Sequence, residues 1–219
     1  MQGGLWQKIT GGNEIQVTML EIGLGCAQGG GMVRGIPGGS ALAWQHLFNH
    51  SRIHLELHIM EYDAKCAKKW ASEHQNPNLH VHYGDQSKLA DLMRVVKASS
   101  TGGFDIIIDD GSHINSHQIF SLENLIPHLL PHGFYVIEDI HSACMQWAAN
   151  MGTELHRGPG VGGTKDCMGS DESPTIYRKI VEWQKQLLVK KTFFKSDSPL
   201  HKIDHIDICM EAAVFGKNL

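Results

Sequence analysis

Several features that would identify common classes of protein are missing from this sequence. No stretch approaches the roughly 18 uninterrupted apolar residues that a membrane-spanning helix needs. The first 14 residues contain no apolar run after a basic start, so we expect neither a membrane span nor a secretory leader. No run of Lys or Arg is longer than two residues, which argues against nucleic-acid partners and polybasic attachment to membranes.

Cysteine is also scarce, and its spacing fits no metal-binding ribbon. The five cysteines are far apart and include no CxxC pair. They are Cys26, Cys66, Cys144, Cys167 and Cys209. An odd number of widely spaced cysteines predicts reduced thiols, and we therefore expect a cytoplasmic protein.

What the sequence does contain is enough apolar material for one substantial core. The chain has 219 residues, 42% of them hydrophobic, and a net charge of −4 with His neutral. A chain of this length is short for two domains, so we expect residues 1–219 to form a single domain.

Strand-like and helix-like patterns alternate along the chain, which predicts an α/β fold with a mostly parallel sheet. Seven strands are expected, the last two joined by a tight link that requires antiparallel pairing. They are 17–22, 55–61, 79–83, 104–108, 135–138, 202–208 and 211–215. Two glycine-rich stretches read as long loops, at 26–39 and at 142–174, and the second is predicted to be a lid.

The first strand ends in a glycine-rich turn, Glu21-Ile22-Gly23-Leu24-Gly25. Missing side chains there would let a nucleotide-like ligand approach the backbone, although a tight turn without a ligand is the alternative. Glu61 ends the second strand, where an acidic residue can bind ribose hydroxyls. Asp85, followed by Gln86, ends the third strand and suits an adenine edge. Because the glycines lead into a loop rather than a helix, the pattern favours a mononucleoside cofactor over a dinucleotide.

Two further strands stop abruptly at acidic residues, in FDIIIDDGSH (104–113) and FYVIEDIH (134–141). If these strands are neighbours, Asp110, Glu138 and Asp139 converge at one rim with His113 beside them. Asp109 is expected to cap or to face the cofactor. The alternative is that these acids are solvated strand ends or helix caps.

Together these motifs resemble the class I S-adenosylmethionine-dependent methyltransferases, with their Rossmann-like fold. The pattern IDDGSHxxxHQ followed by LxPxGxYVIEDxH is similar to the metal-dependent sugar O-methyltransferases of macrolide biosynthesis, of mycinamicin and macrocin type, and to cephalosporin hydroxylase-like sequences. The similarity runs from about Thr18 to Lys217. It implies S-adenosylmethionine and Mg²⁺ as cofactors, and a small-molecule hydroxyl on a sugar or secondary metabolite as the acceptor.

The resemblance also implies roles for individual residues. Asp110, Glu138 and Asp139 would be metal ligands and His113 the general base, which suits the preference of Mg²⁺ for hard oxygen donors. The sequence leaves alternatives open. One is a zinc or iron site built from His113, His117 and Asp110, a second is a divalent-metal enzyme of another class such as an Fe(II) oxygenase, and a third is a cofactor-binding subunit without catalysis. His117 and His141 are otherwise expected to support the metal ligands or to contact the substrate. It does not specify the acceptor or whether the chain forms a homo-oligomer.

Overall fold

Among the residues that the structure describes, the apolar, β-branched runs of the sequence form seven strands of one sheet. The computed structural model describes residues 14–26, 36–48, 52–144, 167–189, 200 and 203–217. The strands are β1 (Ile15–Ile22), β2 (Ile53–Glu61), β3 (Leu79–Tyr83), β4 (Phe104–Asp109), β5 (Leu129–Ile137), β6 (Ile203–Ile208) and β7 (Ala213–Lys217). Their order across the sheet is β3-β2-β1-β4-β5-β7-β6. The first five strands are parallel, whereas β7 pairs antiparallel with both β5 and β6. This is the mostly parallel sheet with a C-terminal antiparallel pair that the sequence predicts.

Helices follow most of the parallel strands. They are α1 (Gly39–Leu47), α2 (Ala64–Glu73), α3 (Leu89–Ala98), α4 (Asn115–Leu125) and α5 (Ile176–Val189), with short 3-10 turns at Ile126–His128 and Ile140–Cys144. The start of α2 has a clear chemical cause, because the side chain of Asp63 accepts hydrogen bonds from the backbone N–H groups of Lys65 and Cys66. No described helix has the length and apolar character needed to cross a membrane.

The two faces of the sheet bury separate clusters, because alternate residues of a strand point to opposite faces. On β1, Leu20 packs in the larger cluster with Leu92 of α3 and Leu122 of α4. Its neighbour Met19 packs in the smaller cluster with Trp70 of α2. Both faces of β1 are thus covered, which explains its continuous apolar sequence.

The boundary between α4 and β5 differs from the sequence prediction. The sequence predicts a turn at Pro131-His132-Gly133 between a helix and a strand at 135–138, but the helix ends at Leu125 and β5 begins at Leu129. The pairing of β4 with β5 shifts register between Phe104 and Ile106. His132 has a φ of 62° there, and a Cβ on Gly133 would lie 2.7 Å from the carbonyl oxygen of Asp105. The turn-forming residues therefore build an irregularity inside the strand instead of a loop before it.

The prediction that the cysteines are reduced is wrong for four of them. Cys26 is bonded to Cys66, and Cys144 is bonded to Cys167. Each pair is distant in sequence, and the fold brings its members together: Cys26 follows β1, and Cys66 lies in the first turn of α2. Cys209 is a free, exposed thiol.

Parts of some predicted segments lie outside the described residues. They are residues 1–13, where the spacing of Leu5, Trp6 and Ile9 predicts a helical turn, residues 27–35 of the glycine-rich loop, and residues 145–166 of the predicted lid.

Candidate active site

The two acidic motifs end neighbouring strands, as the sequence analysis required. The backbone N–H of Asp110 donates to the carbonyl of Ile22 at 3.0 Å, and that of Glu138 donates to the carbonyl of Asp109 at 3.0 Å. These bonds continue the ladder past the ends of β1, β4 and β5. The carboxyl ends of the three strands consequently form one rim, where ligands bind in open α/β sheets.

Asp110, His113 and Asp139 meet at this rim. The Nε2 atom of His113 lies 3.7 Å from Asp110 Oδ1 and 3.6 Å from Asp139 Oδ2. One ligand atom from each residue can be chosen so that all three lie within 4.8 Å of one another. His113 and Asp139 both have a φ of 54°, a left-handed conformation that costs energy for non-glycine residues and that clusters at functional sites.

The carboxylates of Asp110, Glu138 and Asp139 repel one another, which favours the binding of a cation at this rim. Burial, followed by the charges of Glu138, Asp139 and Asp109, raises the pKa of Asp110 to about 7. Burial and the charge of Asp139 likewise raise the pKa of Glu138. Hard oxygen donors that repel one another fit a divalent ion such as Mg²⁺, which would remove the repulsion.

Glu138 and His141 lie at the edge of this group. Glu138 is close enough to affect Asp110 electrostatically, but it is not one of the three residues whose ligand atoms come within 4.8 Å of one another. His141 Nδ1 lies 3.8 Å from Asp139 Oδ1. The role of Glu138 as a metal ligand stays a prediction.

Glu21 extends the acidic rim beneath the end of β1. Its side chain is almost fully buried, and its Oε2 atom has no hydrogen-bond partner within the described part of the chain. Burial, opposed by a hydrogen bond from Ser40 and reinforced by the charges of Asp110 and Glu138, raises the pKa of Glu21 to about 7. A buried carboxylate oxygen without a partner is costly unless a ligand satisfies it.

Gly23 and Gly25, the two glycines after Glu21, are required for different structural reasons. A Cβ on Gly23 would lie 2.1 Å from the carbonyl oxygen of Asp110, so this glycine lets β1 end against the acidic motif. Gly25 has a φ of 76°, and among the described residues a Cβ there would meet nothing within 4 Å. Of these two glycines, Gly25 is therefore the one that leaves room for a ligand within the described part of the chain.

Glu61 links the glycine turn after β1 to the start of α2. Its Oε2 accepts from the N–H of Leu24 at 2.9 Å and its Oε1 from the N–H of Asp63 at 2.8 Å. A carboxylate oxygen can accept more than one hydrogen bond, so each retains capacity for a ribose hydroxyl.

Asp85 and Gln86, after β3, differ in exposure. Asp85 accepts hydrogen bonds from the backbone and hydroxyl of Ser87. Burial raises the pKa of Asp85, but these bonds outweigh it and the pKa falls. Gln86 is buried, and its Oε1 accepts from the N–H of Ser112 at 2.8 Å. Gln86 thus joins the end of β3 to the DDGSH segment.

Asp109 lies inside the protein, although it is adjacent to Asp110. It is fully buried and accepts hydrogen bonds from Gln86 Nε2 at 3.0 Å, from the Ser121 hydroxyl and from the Tyr135 hydroxyl at 3.2 Å. Burial raises its pKa. A role in orienting Gln86 fits this position better than direct contact with a cofactor.

Two residues of α4 support the acidic motifs: sequence reasoning named His117 as a possible supporting or substrate-contacting residue, but it missed Gln118. His117 Nδ1 lies 3.0 Å from the hydroxyl of Ser112, and Gln118 Nε2 donates to the carbonyl of Glu138 at 3.2 Å. Polar residues on the buried face of α4 were the available signal. The metal-ligand groups found among the described residues include Asp110 with His113 but not with His117, so the zinc or iron alternative built on that pair has no geometric support there.

Relatives among characterised proteins match a large part of this chain. Demethylmacrocin O-methyltransferase of Streptomyces fradiae is 36% identical over 160 residues, which cover 71% of this chain and 32% of that protein. Mycinamicin VI 2''-O-methyltransferase of Micromonospora griseorubida is 36% identical over 158 residues, with the same coverage. The chain spans about a third of the length of the curated relatives that it matches. No family model matches it.

A solved structure agrees with these relatives. MycE methyltransferase from the mycinamycin biosynthetic pathway, in complex with Mg, SAH and mycinamycin VI, matches with a TM-score of 0.66 at 26% identity. The match covers 93% of this chain and 45% of that one. The class I methyltransferase fold and the resemblance to macrolide sugar O-methyltransferases are thereby confirmed.

Proposed function

We propose that this chain transfers a methyl group from S-adenosylmethionine to a hydroxyl of a small molecule, with Mg²⁺ bound at the acidic rim. The observation that carries the proposal is the meeting of Asp110, Asp139 and His113 beside the glycine turn of β1. The similarity to O-methyltransferases and to a methyltransferase bound to Mg and SAH supports it.

The carboxylates of Asp110 and Asp139 would hold the metal, with Glu138 as the third oxygen donor. When bound, Mg²⁺ supplies positive charge that makes a coordinated hydroxyl more acidic. The residues fit because they are oxygen donors whose mutual repulsion a divalent cation relieves.

His113 is proposed as the general base. Its Nε2 points between Asp110 and Asp139, where an acceptor hydroxyl held at the metal would lie within reach. The proton of that hydroxyl passes to Nε2, a bond forms between its oxygen and the methyl carbon, and the bond from that carbon to sulfur breaks. S-adenosylhomocysteine (SAH) is the second product.

The cofactor would lie across the ends of β1, β2 and β3. Gly25 would allow the approach, Gly23 lets β1 end against Asp110, and Glu61 is proposed to bind the ribose. Glu21 offers a buried oxygen that has no partner among the described residues. Asp85 is proposed to contact the adenine, while Asp109 would act through Gln86. These cofactor-binding roles are predictions, and a structure of the complex with SAH would test them.

The acceptor is proposed at the level of chemical class. The relatives are named for methylation of macrolide and tetracenomycin sugars, and this chain matches about a third of their length. We therefore propose a sugar hydroxyl of a secondary metabolite, and leave its position open.

Three further statements remain predictions. They are that residues 1–219 form one domain, that residues 142–174 form a lid, and that the protein is cytoplasmic.

Calorimetric titration with SAH and Mg²⁺ tests the proposal. We expect micromolar SAH binding, and Mg²⁺ binding that Asp139→Asn abolishes while SAH binding is retained. Asp207→Asn is the matched control, because Asp207 is an exposed aspartate on β6. If the chain bound no SAH, an Fe(II) oxygenase or another metal enzyme would replace the methyltransferase. If it bound SAH but no Mg²⁺, a subunit without metal-assisted catalysis would be the better description.

A further inference from the structure

A second cluster of metal-ligating side chains lies away from the acidic rim, on β2 and β3. His58 and His80 are directly paired in the register of these strands, so both side chains project from the same face of the sheet. Glu56 lies two residues before His58 on that face. One ligand atom from each of Glu56, His58 and His80 can be chosen so that all three lie within 4.8 Å of one another.

The hydrogen bonds around the cluster resemble a metal site with its outer shell. His58 is fully buried; its Nε2 lies 2.9 Å from Glu56 Oε1 and its Nδ1 lies 3.0 Å from His82 Nε2. Histidines that bind metals use one ring nitrogen for the ion and the other for a hydrogen bond that fixes the ring. Here Nε2 faces the carboxylate and His82 holds the opposite nitrogen.

Glu56 is also held in place by atoms outside the cluster. Its Oε1 accepts from the N–H of Ser100 at 3.0 Å, and its Oε2 accepts from Gln16 at 3.1 Å and from the Ser100 hydroxyl. These bonds orient the carboxylate toward His58. Ligating carboxylates are fixed by outer hydrogen bonds in the same way.

His80 belongs to the cluster by position, but it does not take part in the hydrogen-bonded network of Glu56, His58 and His82. Its ring lies 4.7 Å from that of His58, centroid to centroid. No hydrogen bond to either ring nitrogen of His80 is found within the described ranges, although three other polar side chains of this face are bonded to one another. An imidazole without such a bond, beside an oriented imidazole and a carboxylate, matches the ligand types of a metal site.

We propose that Glu56, His58 and His80 bind a divalent transition metal of the zinc class. In this proposal the ion would take the place of the hydrogen bond between His58 Nε2 and Glu56 Oε1. His58 would then carry its proton on Nδ1 and donate it to His82 Nε2, and a solvent molecule would complete the coordination. Two imidazoles and one carboxylate suit zinc, whereas Mg²⁺ prefers oxygen ligands alone. The ion would join β2, β3 and, through Ser100, the segment after α3, so its role would be to stabilise the sheet edge.

The test measures zinc binding to the chain carrying Asp139→Asn, which weakens the metal site proposed at the rim. After treatment with a chelator, equilibrium dialysis should return one zinc per chain, and X-ray absorption at the zinc edge should show scattering from two imidazoles. The thermal midpoint should rise by several degrees, since an ion that binds only the folded state stabilises it. Adding His80→Gln should remove the bound zinc.

His46→Gln in the same background is the matched control, because His46 is exposed in the last turn of α1. It should leave zinc binding unchanged. His80 is preferred to the fully buried His58 because its replacement is less disruptive to packing, and circular dichroism of the zinc-free variants checks their folding. Equal zinc binding by the His80→Gln and His46→Gln variants would overturn the proposal, as would the absence of zinc from the parent. Because the rim site is weakened throughout, neither result bears on the proposed methyl transfer.

Discussion

Asp109 and Asp110 are adjacent in sequence, yet they belong to two regions with opposite properties. Asp109 points inward to the buried network of Gln86, Ser121 and Tyr135, where each polar group finds a partner within the protein. Asp110 points to the acidic rim, where its neighbours are carboxylates and its side chain is 40% exposed. Alternation along the end of β4 is enough to separate them.

The comparison separates Asp109, which supports the site from inside the protein, from Asp110 and Asp139, which are proposed to bind the metal. Hydrogen bonds to Asp109 fix Gln86, which in turn fixes the N–H of Ser112 in the DDGSH segment. The rim can therefore keep Asp110 and Asp139 close together despite their repulsion. Substitutions in the inner network should affect stability first, whereas substitutions at the rim should affect catalysis and metal binding first.

Replacing His113 should produce the largest effect. We expect His113→Gln to lower kcat by about 10² to 10⁴-fold, because a general base contributes rate enhancement of that order. The measurement is methyl transfer to a glycosylated acceptor at saturating SAM and Mg²⁺. SAH affinity should change little. His132→Gln, at the other left-handed histidine and away from the rim, is the control, and comparable activity of the two variants would contradict the role of His113.

Replacing Asp109 should affect folding instead. Asp109→Ala removes the acceptor shared by three buried donors and leaves a cavity, so we expect the free energy of unfolding to fall by about 2–4 kcal/mol. Asp110→Ala is the matched comparison. It relieves repulsion at a partly exposed position, and we expect a change of at most about 1 kcal/mol, toward greater stability in the metal-free chain. Urea denaturation without Mg²⁺ measures both, and equal destabilisation would remove the distinction between the regions.

The dependence of metal binding on pH should come from the rim. Because the pKa of Asp110 is about 7 in the metal-free structure, its proton competes with Mg²⁺ below that pH. The apparent Mg²⁺ affinity should therefore rise by about tenfold from pH 6 to pH 8. Calorimetry across this range measures the rise, and Asp110→Asn should flatten it while weakening binding throughout. An unchanged slope in that variant would assign the proton to another group.

Burial of Glu21, reinforced by the charges of Asp110 and Glu138, should lower the stability of the metal-free chain as pH rises. The pKa of Glu21 is raised from 4.5 to about 7 in the folded state, so the unfolded chain releases its proton first. The stabilising contribution is complete below pH 4.5 and is lost as pH approaches about 7, a difference of about 3 kcal/mol for this buried group. Glu21→Gln should reduce this loss, as measured by urea denaturation at pH 5 and pH 8. A loss of the same size in the variant would show that Glu21 is not its source.

The rim was accessible to sequence reasoning because strand ends are marked in the sequence. Apolar runs that stop at Asp110 and Asp139 place these residues at the carboxyl ends of strands, and parallel strands bring those ends together. The separation of Asp109 from Asp110 was less accessible, since it depends on where Gln86 and Tyr135 lie in space. The disulfide partners of Cys26 and Cys144 were likewise inaccessible, because pairing requires proximity that spacing alone does not reveal. The start of β5 was missed because a turn signature formed an irregularity within the strand.

Removing the Tyr135 hydroxyl from the buried network around Asp109 should have the smallest effect, and it tests whether that network only supports the rim. Tyr135 is fully buried, and its hydroxyl lies 3.2 Å from both Asp109 Oδ2 and the Ser121 hydroxyl. Tyr135→Phe keeps the ring and removes only these bonds, so the free energy of unfolding should fall by about 0.5–1.5 kcal/mol. Asp109 would retain Gln86 and Ser121 as donors, and SAH and Mg²⁺ affinities should stay within about twofold. Tyr177→Phe, on the partly buried helix α5, controls for loss of a hydroxyl. If Tyr135→Phe weakened Mg²⁺ binding more than it lowered stability, the inner network would be part of the reactive rim and not its support.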